Sequence, residues 1–352
     1  MDNAFIKISN RILEKGKADL NFTGSPIPWD SMLIWQWGQG VGLYGVAKAY
    51  ERTKDIKYYD FIKSFADKHI NAGIKMSINT AAPLLAVMIL ITEKNDKYYK
   101  LCQEFADWFL AEAPRAERGA FEHSCTETVY DNEIWLDTLF MGCIFLAKWG
   151  VYTSNRMYIN EAVRQYNLHY KFTLDAETGL LHHGYYCNSR EKVGALWGRG
   201  NGWFAAGSAE MLKIIPEDVK GSAELKKNFK NHIENVYKYQ DISGGWHTVI
   251  NSDKTYIESS GTAAFAYAGL YAVKKGFIPG AYMSKIDNAY KFIEENVSSD
   301  GIVLLGSGGT CIMRSEDEYN NVKCRETYYT QGLASLALSE KIIDINWEIS
   351  YE

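Results

Sequence analysis

The amino-acid sequence predicts an all-α protein folded as an (α/α)6 barrel, a ring of six helical hairpins with short β pieces in the loops of one rim. The first observation is an internal repeat, because residues 57–67 recur as residues 97–107, each copy following a short polar turn. Self-similarity at this period indicates one supersecondary unit stacked several times. The second observation is that about twelve segments carry apolar residues at helical spacing. Paired helices close naturally into a ring, so we expect one domain over residues 1–352, with an open α-solenoid as the alternative.

The helical segments alternate between two kinds of connection. They are predicted near 4–15, 36–52, 55–70, 79–92, 95–113, 132–148, 154–173, 200–214, 219–240, 259–275, 280–296 and 328–341. Strand signals are confined to short pieces such as 248–250 and 302–304.

Every second helix is preceded by a longer loop rich in Gly, aromatic and charged residues. These loops are 16–35, 71–78, 114–131, 174–199, 241–258 and 297–327. The N-termini of the helices that follow them should therefore gather on one rim of the barrel. Long loops on a rigid scaffold carry function, and the positive ends of helix dipoles favour an anionic ligand.

Composition excludes several classes of protein. Lys and Arg number 38 against 43 Asp and Glu, giving a net charge of −5, and this mild acidity disfavours nucleic acid as a partner. The apolar fraction of 47% excludes disorder, and no apolar run is long enough to predict a membrane span. The aromatic fraction of 14% indicates a large core or a cleft that stacks on flat ligands such as sugars.

The cysteines and the first residues of the chain indicate the cellular compartment in which the protein is expected to work. The six cysteines form no CxxC pair and show no metal-finger spacing, and residues 1–7 lack a basic stretch followed by an apolar core. We therefore expect reduced thiols and a cytoplasmic protein. The sequence shows no i, i+4 His pair and no carboxylate–His cluster, so we expect no metal and no cofactor. The oligomeric state cannot be predicted from these patterns.

Asp137 is the strongest catalytic candidate. It is predicted in the second turn of helix 132–148, with Ile134, Phe140 and Met141 as neighbours at helical spacing. Burial among apolar side chains disfavours a charged carboxyl, so we expect a raised pKa that suits proton donation near neutrality. A buried Asp that only organises the start of this helix is equally consistent with the pattern.

A second candidate is the run 197–203, which contains Arg199, Asn201 and Trp203 among three glycines. Glycine lets backbone approach a ligand closely, Trp offers a stacking face, and Arg can grip a carboxylate through two parallel hydrogen bonds. The alternative is a glycine-rich helix start with core tryptophans and a structural Arg.

Other rim residues add weaker signals. His182 and His183 follow one another in a predicted loop, so at most one faces the cleft; the roles of His123 and His247 cannot be told from the sequence. Trp35 and Trp37 open the first rim helix, and Asn79 lies at the start of the second.

These segments resemble glycoside hydrolase family 105, the unsaturated rhamnogalacturonyl hydrolases, which are related to the family 88 unsaturated glucuronyl hydrolases. The most specific matches are 134–141 and 197–203. The supporting matches, in family order over nearly the whole chain, are 35–41, 78–83, 179–183, 259–266 and 328–340.

The resemblance implies removal of the terminal 4,5-unsaturated uronic acid that polysaccharide lyases leave on oligosaccharides, most commonly with rhamnose beside it. It implies that Asp137 protonates C4 of the enol ether and that its carboxylate then activates a water that adds at C5. His183 and Arg199 would bind the uronate and its neighbours, with Trp203 packing beside them. We add Trp35, Trp37, Asn79 and Asn201 as substrate-binding candidates.

One position departs from the usual pattern. Many relatives carry a second Asp where this chain has Asn79, which puts in doubt the group that polarises the substrate there. Ordinary glycosidases need a pair of carboxylates, whereas hydration of an enol ether can proceed with one. The sequence does not identify the sugar next to the uronate. Arg314, Lys323 and Arg325 are interpreted as a solvated charged loop in preference to an anion contact.

Two other functions fit the same barrel. A sugar 2-epimerase-like isomerase would use His183 and His247 as acid and base, but it would not need the segment around Asp137. A non-catalytic oligosaccharide-binding protein would use the aromatic rim only for stacking, since a fold does not dictate function.

Overall fold

The computed structural model describes residues 3–349 of the chain. The prediction drawn from the chain start rests partly on Met1 and Asp2, which lie outside the described residues. The helices, in chain order, are α1 (Asn3–Leu20), α2 (Trp37–Thr53), α3 (Ile56–Ile70), α4 (Ile78–Ala81), α5 (Leu84–Val87), α6 (Lys97–Ala111), α7 (Ile144–Tyr152), α8 (Arg156–Thr173), α9 (Gly198–Ile214), α10 (Ser222–Val236), α11 (Ser259–Lys274), α12 (Met283–Glu295), α13 (Glu316–Asn320) and α14 (Tyr328–Ile349).

The long helices form an inner and an outer layer. The inner helices α9 and α11 are buried around their whole circumference, over residues 198–211 and 259–272 respectively. The outer helices are amphipathic; α12, for example, buries Ile286, Ala289 and Ile293 and exposes its opposite face. The inner layer is completed by α2, α4 with α5, α7 and α14, and the outer layer by α1, α3, α6, α8 and α10.

The inner layer closes on itself. Around the ring, α2 packs on α5, α5 on α7, α7 on α9, α9 on α11, α11 on α14, and α14 on α2 again. Helix α1 fills the outer position behind α2 and α14. The prediction of a closed (α/α)6 barrel is therefore confirmed, and an open solenoid is excluded.

The repeat seen in the sequence corresponds to successive outer helices. Tyr98 in α6 donates a hydrogen bond to Asp67 in α3 at 2.5 Å, and Tyr158 in α8 donates one to Asp107 in α6, also at 2.5 Å. Asp67 and Asp107 occupy equivalent positions of the repeat. The repeated tyrosines and aspartates thus join each outer helix to the next, as expected for residues of the barrel wall.

Two inner segments differ from their predicted form. The segment predicted as one helix over 79–92 is divided into α4, α5 and a 3-10 turn at Met88–Leu90, because Pro83 has no N–H for the intrahelical ladder. The segment predicted as a helix over 132–148 starts as a strand, β1 (Glu133–Trp135), and continues through a π-helical turn at Leu139–Cys143 into α7.

The strands lie in the rim loops. β1 pairs with β2 (Gly184–Tyr186), and β2 pairs with β3 (Glu191–Val193), in one antiparallel sheet. A second pair joins β4 (Trp246–His247) to β5 (Ile257–Glu258). The register places Ile134 opposite Tyr185 and Trp135 opposite Gly184, so β2 brings His183 beside the segment that holds Asp137. None of the described helices has the length and hydropathy needed to cross a membrane.

Candidate active site

A cavity of about 340 Å³ opens on the rim that the long loops share. Four parts of the chain line it: residues 29–39, Asn79, residues 123–137 and residues 309–325. These parts precede or begin the inner helices α2, α4, α7 and α14. The predicted gathering of long loops at one rim therefore coincides with a cavity.

Asp137 lies on the floor of this cavity. Asp137 is only 9% exposed, and both of its carboxylate oxygens have hydrogen-bond partners in the protein. His183 Nε2 lies 3.2 Å from Oδ2, and the indole N–H of Trp203 donates to Oδ1 at 3.2 Å. Only Leu136 separates Asp137 from β1, and Asp137 begins the helical stretch, so it is in the first turn and not in the predicted second turn.

On the side of its ring away from Asp137, His183 contacts Tyr319, a residue that the sequence did not indicate. The hydroxyl of Tyr319, in α13, lies 2.8 Å from His183 Nδ1 and accepts a hydrogen bond from the Met313 N–H at 3.2 Å. The ring of Tyr319 is fully buried. Gly194 makes room for this contact, because a Cβ at that position would lie 2.5 Å from the Tyr319 hydroxyl.

The surroundings of Asp137 set its protonation. Burial raises the pKa of this carboxyl, but the hydrogen bond from His183 and the charges of His183, His123 and Arg199 outweigh burial and hold the pKa below its ordinary value. The expectation of a raised pKa is therefore wrong, because it considered the apolar helix neighbours and not the histidines of other segments. Burial lowers the pKa of His183, and it lowers that of His123 to about 4.

Asn79, His123, Trp135 and Trp37 form the rest of the floor. Asn79 is 7% exposed, and its side-chain amide has no hydrogen-bond partner among the described residues, so it is available to a ligand. His123 stacks on Trp135 with ring centroids 4.7 Å apart and contacts Thr138 through Nδ1. Trp37 stacks on Tyr329 at 4.6 Å.

Arg199 does not reach the cavity surface. Its guanidinium is completely buried between the rings of Trp197 and Tyr329. It donates to the carbonyls of Ser307 and Gly308 at 3.0 and 2.8 Å. It also donates to the hydroxyl of Thr310, a cavity residue, at 3.0 Å. Arg199 thus supports the loop that forms one wall.

Three more predicted binding residues lie behind the wall. Trp35 is buried and donates to the Thr80 carbonyl at 2.7 Å. The side-chain amide of Asn201 accepts a hydrogen bond from the Leu181 N–H and donates one to the Leu181 carbonyl, both at 2.8 Å. Trp203 is fully buried, and its indole N–H contacts Asp137. The structure therefore brings Asp137, Asn79 and Trp37 to the cavity and places Trp35, His183, Arg199, Asn201 and Trp203 in its supporting layer.

Two glycines of the 197–203 run allow close packing of α9 against α11. A Cβ on Gly202 would lie 2.8 Å from the Cβ of Ala264, and a Cβ on Gly261 would lie 2.9 Å from the carbonyl carbon of Gly198. These glycines allow α9 and α11 to approach closely, and they do not line the cavity.

The mouth of the cavity contains Trp29, which the sequence did not indicate, and Arg325, which was interpreted from the sequence as part of a solvated charged loop. Trp29 is 42% exposed, and the guanidinium of Arg325 lies 4.8 Å from its ring centroid. Glu127, Tyr130 and Cys311 lie elsewhere along the lining. Tyr130 and Trp29 carry no helical or strand periodicity that could have identified them, because they belong to irregular loops.

The remaining histidines lie elsewhere. His182 Nε2 lies 3.6 Å from Asp175 and faces a separate groove, and His247 binds the Thr255 carbonyl in the β4–β5 turn. Across residues 3–349 no group of three or more His, Cys, Asp or Glu side chains is placed to hold a metal ion.

Comparison with known proteins finds similar proteins over most of the chain. The family model of Glycosyl Hydrolase Family 88 matches residues 19–343. The unsaturated rhamnogalacturonyl hydrolase YesR of Bacillus subtilis is 29% identical, over 87% of this chain and 89% of that protein. The unsaturated 3S-rhamnoglycuronyl hydrolase of Formosa agariphila is 24% identical, over 81% and 80%. A crystal structure described as a possible member of the GH105 family, from Salmonella enterica, matches with a TM-score of 0.89 at 28% identity, over 97% of this chain and 93% of that one.

Proposed function

The chain belongs to glycosyl hydrolase family 88, and from this membership we propose that it removes the terminal 4,5-unsaturated uronic acid from oligosaccharides produced by polysaccharide lyases. The observation that carries the proposal is the position of Asp137. It is the carboxylate on the cavity floor, and its two oxygens are oriented by His183 and Trp203.

In the proposed reaction Asp137 first donates one proton and then accepts another. Its carboxylic acid gives a proton to C4 of the substrate, which leaves an oxocarbenium centre shared by C5 and the ring oxygen. Water then adds at C5 and returns a proton to the Asp137 carboxylate. The resulting hemiketal opens to a ketone at C5, and the hemiacetal at C1 releases the remaining saccharide. Such proton transfer by a positioned side chain is general acid–base catalysis.

Because the pKa of Asp137 lies below its ordinary value, the proposed reaction is favoured if substrate binding stabilises the protonated carboxyl. The substrate supplies the means, because its own carboxylate is attached to C5, next to the carbon that is protonated. A like charge in a buried site disfavours a second carboxylate and raises its pKa. We therefore propose that the bound uronate raises the pKa of Asp137 and so favours its protonated form, and that a neutral substrate analogue has a smaller effect.

Rhamnogalacturonan fragments from pectin are the proposed natural substrates. The relative from Bacillus subtilis, named for this activity, supports the choice over most of the chain. Asn79, with its unpaired amide on the cavity floor, is proposed to hydrogen-bond the sugar hydroxyls, since an amide both donates and accepts. The epimerase alternative has no support in the geometry, because His247 lies outside the cavity and His183 is already bonded on both ring nitrogens.

We also propose that the protein works in the cytoplasm. All six cysteines are free thiols, and this is the usual state in a reducing compartment.

The experiment is an ultraviolet assay with rhamnogalacturonan digested by its lyase. The enol-ether absorbance should disappear with time, and the products should be a free 5-keto sugar and an oligosaccharide with rhamnose at its new end. Products that keep the double bond, with a changed sugar configuration, would contradict the proposal.

A further inference from the structure

The cavity has a closed floor and an open mouth, and this difference orients the substrate. Asp137, Asn79 and His123 are each at least nine-tenths buried, whereas Trp29 and Arg325 are exposed. The unsaturated ring must reach Asp137 to be protonated, so it occupies the floor. The saccharide that leaves must then lie between the floor and solvent, against the residues of the mouth.

Trp29 is fixed at this mouth through its backbone. Its carbonyl accepts a hydrogen bond at 3.1 Å from the side chain of Gln39, a buried residue of α2. The far edge of its indole ring lies beside Gly309, where a Cβ would be only 3.8 Å from the ring. An exposed indole held in this way presents an apolar surface of the kind that packs on the C–H face of a sugar ring.

Arg325 lies over the same indole. The distance from its guanidinium carbon to the ring centroid is 4.8 Å, a cation–π contact that restricts the side chain without neutralising its charge. No carboxylate among the described residues lies within ion-pair distance of it, although Glu127 also lines the cavity. Arg325 is also the only Lys or Arg among the described residues of the lining.

From these contacts we propose that Trp29 and Arg325 form the binding subsite for the leaving saccharide, and that Arg325 selects saccharides carrying an anionic group. The group would be an oxyanion, either the carboxylate of a further uronic acid or a sulfate ester, since the planar guanidinium binds both in the same bidentate way. This inference rests on the proposed hydrolase function, because it needs the unsaturated ring at Asp137.

The test uses pairs of unsaturated substrates that differ only in charge on the leaving saccharide. One pair compares rhamnose with sulfated rhamnose, and the other compares a following uronic acid with its methyl ester. Wild-type enzyme should have a higher kcat/KM on the charged member of at least one pair, and the pair that responds identifies the oxyanion. In Arg325→Gln, kcat/KM should fall about tenfold or more on that charged substrate and less than about twofold on its neutral counterpart, as expected for loss of a hydrogen bond to a charged group.

Three further variants separate contact from other effects. Arg325→Lys keeps the charge without the planar fork and should recover only part of the preference. Glu127→Gln removes the other carboxylate that lines the cavity besides Asp137, and it should leave the discrimination between the two members unchanged if Arg325 acts by contact. Trp29→Ala should lower kcat/KM on both members of each pair, because stacking does not depend on substrate charge.

Two results would overturn the inference. One is an Arg325→Gln enzyme whose kcat/KM falls equally on the charged and the neutral substrates while its thermal unfolding midpoint is unchanged. The other is a wild-type enzyme that turns over both members equally well. A wild-type enzyme that hydrolyses no unsaturated substrate would instead refute the proposed function itself, so the two failures are distinguishable.

Discussion

The hydroxyl of Tyr319 lies 2.8 Å from Nδ1 of His183, although the two residues are 136 positions apart in the chain. Because this hydroxyl already accepts a hydrogen bond from Met313, it can donate its own proton to Nδ1. Nε2 then carries the ring proton and directs it at the Asp137 carboxylate, 3.2 Å away. We therefore propose that Tyr319 is a positioning residue that acts through His183 on Asp137, the proposed general acid.

Replacing Tyr319 with Phe should lower kcat about tenfold while changing KM little. The variant keeps the buried ring but leaves Nδ1 without a partner, so His183 can adopt the other tautomer and cease to donate to Asp137. The falling limb of the pH profile should move as well, which a purely structural effect would not produce. Tyr98→Phe, which removes the hydroxyl that binds Asp67 in the outer layer, is the matched control and should retain the wild-type profile.

Asp137→Asn should reduce kcat by about 10²- to 10⁴-fold, the usual range for loss of a general acid. The amide keeps the size and the contacts of the carboxyl but has no proton to transfer to C4. The rate is followed by loss of enol-ether absorbance. Asp107→Asn in the outer layer serves as the control, and an Asp137→Asn enzyme with most of its activity would exclude the proposed mechanism.

The pH dependence should differ between kcat and kcat/KM. The reaction needs protonated Asp137, so each parameter falls as the pH rises through the relevant pKa. For the free enzyme this pKa lies below its ordinary value, and for the substrate complex we expect it to be raised by the bound uronate. The decline in kcat should therefore occur at higher pH than the decline in kcat/KM. With a methyl-esterified unsaturated ring the two declines should converge.

Asn79→Asp should keep measurable activity and shift the falling limb of kcat/KM to higher pH. A carboxylate at position 79 would share the cavity with Asp137 and raise the pKa of that group by like-charge repulsion. Asn79→Ala is the companion variant; it should raise KM without shifting the limb. If both variants have the wild-type profile, Asn79 does not influence the reacting centre.

A stability prediction concerns Glu161 in α8. Its carboxylate binds Arg115 at 2.6 Å and Arg164 at 2.8 Å, and although burial opposes ionisation, these bonds lower its pKa to about 2. A depressed pKa stabilises the folded state above the ordinary carboxyl pKa, and the contribution is lost as the pH falls towards 2. Glu161→Gln should therefore lose roughly 1–3 kcal/mol of unfolding free energy at pH 7.

This loss should shrink when urea unfolding is measured near pH 3. Glu224→Gln is the matched control, since Glu224 is exposed on α10 and has no ion-pair partner among the described residues. A Glu161→Gln deficit of the same size at both pH values would show that the lost contacts act through packing and not through charge.

Much of the fold could be predicted from local pattern. Helical periodicity located both layers because an outer helix such as α12 buries one face, and the repeat 57–67 identified the stacking unit. Periodicity failed at segment 132–148, where cross-strand pairing of Ile134 with Tyr185 competes with helix formation. That pairing depends on a segment about fifty residues away, and no local signal in the sequence records it.

The site was predicted less completely than the fold. Rim position selected the right segments, but it could not distinguish Trp37, which begins α2 and faces the cavity, from Trp35, which precedes α2 and packs on Phe65. Trp29 lies in the predicted loop 16–35, and Tyr319 lies in α13, a short helix within the predicted loop 297–327; distant contacts determine the paths of both segments. The pKa of Asp137 was misjudged for the same reason, because His183 and His123 come from other segments.

Closure of the ring has a consequence for biosynthesis. Helix α14 completes the inner layer against α2, and the segment just before it supplies Arg325 and the wall at 309–311. During translation these residues leave the ribosome after Asp137 and His183, so nascent chains that already contain Asp137 and His183 still lack one side of the cavity. Contacts between segments far apart in the chain, such as α2 and α14, also form slowly, since they require the closure of a long loop. The enzyme therefore gains a complete substrate-binding cavity only after synthesis of α14, and chains released before that point would have no activity.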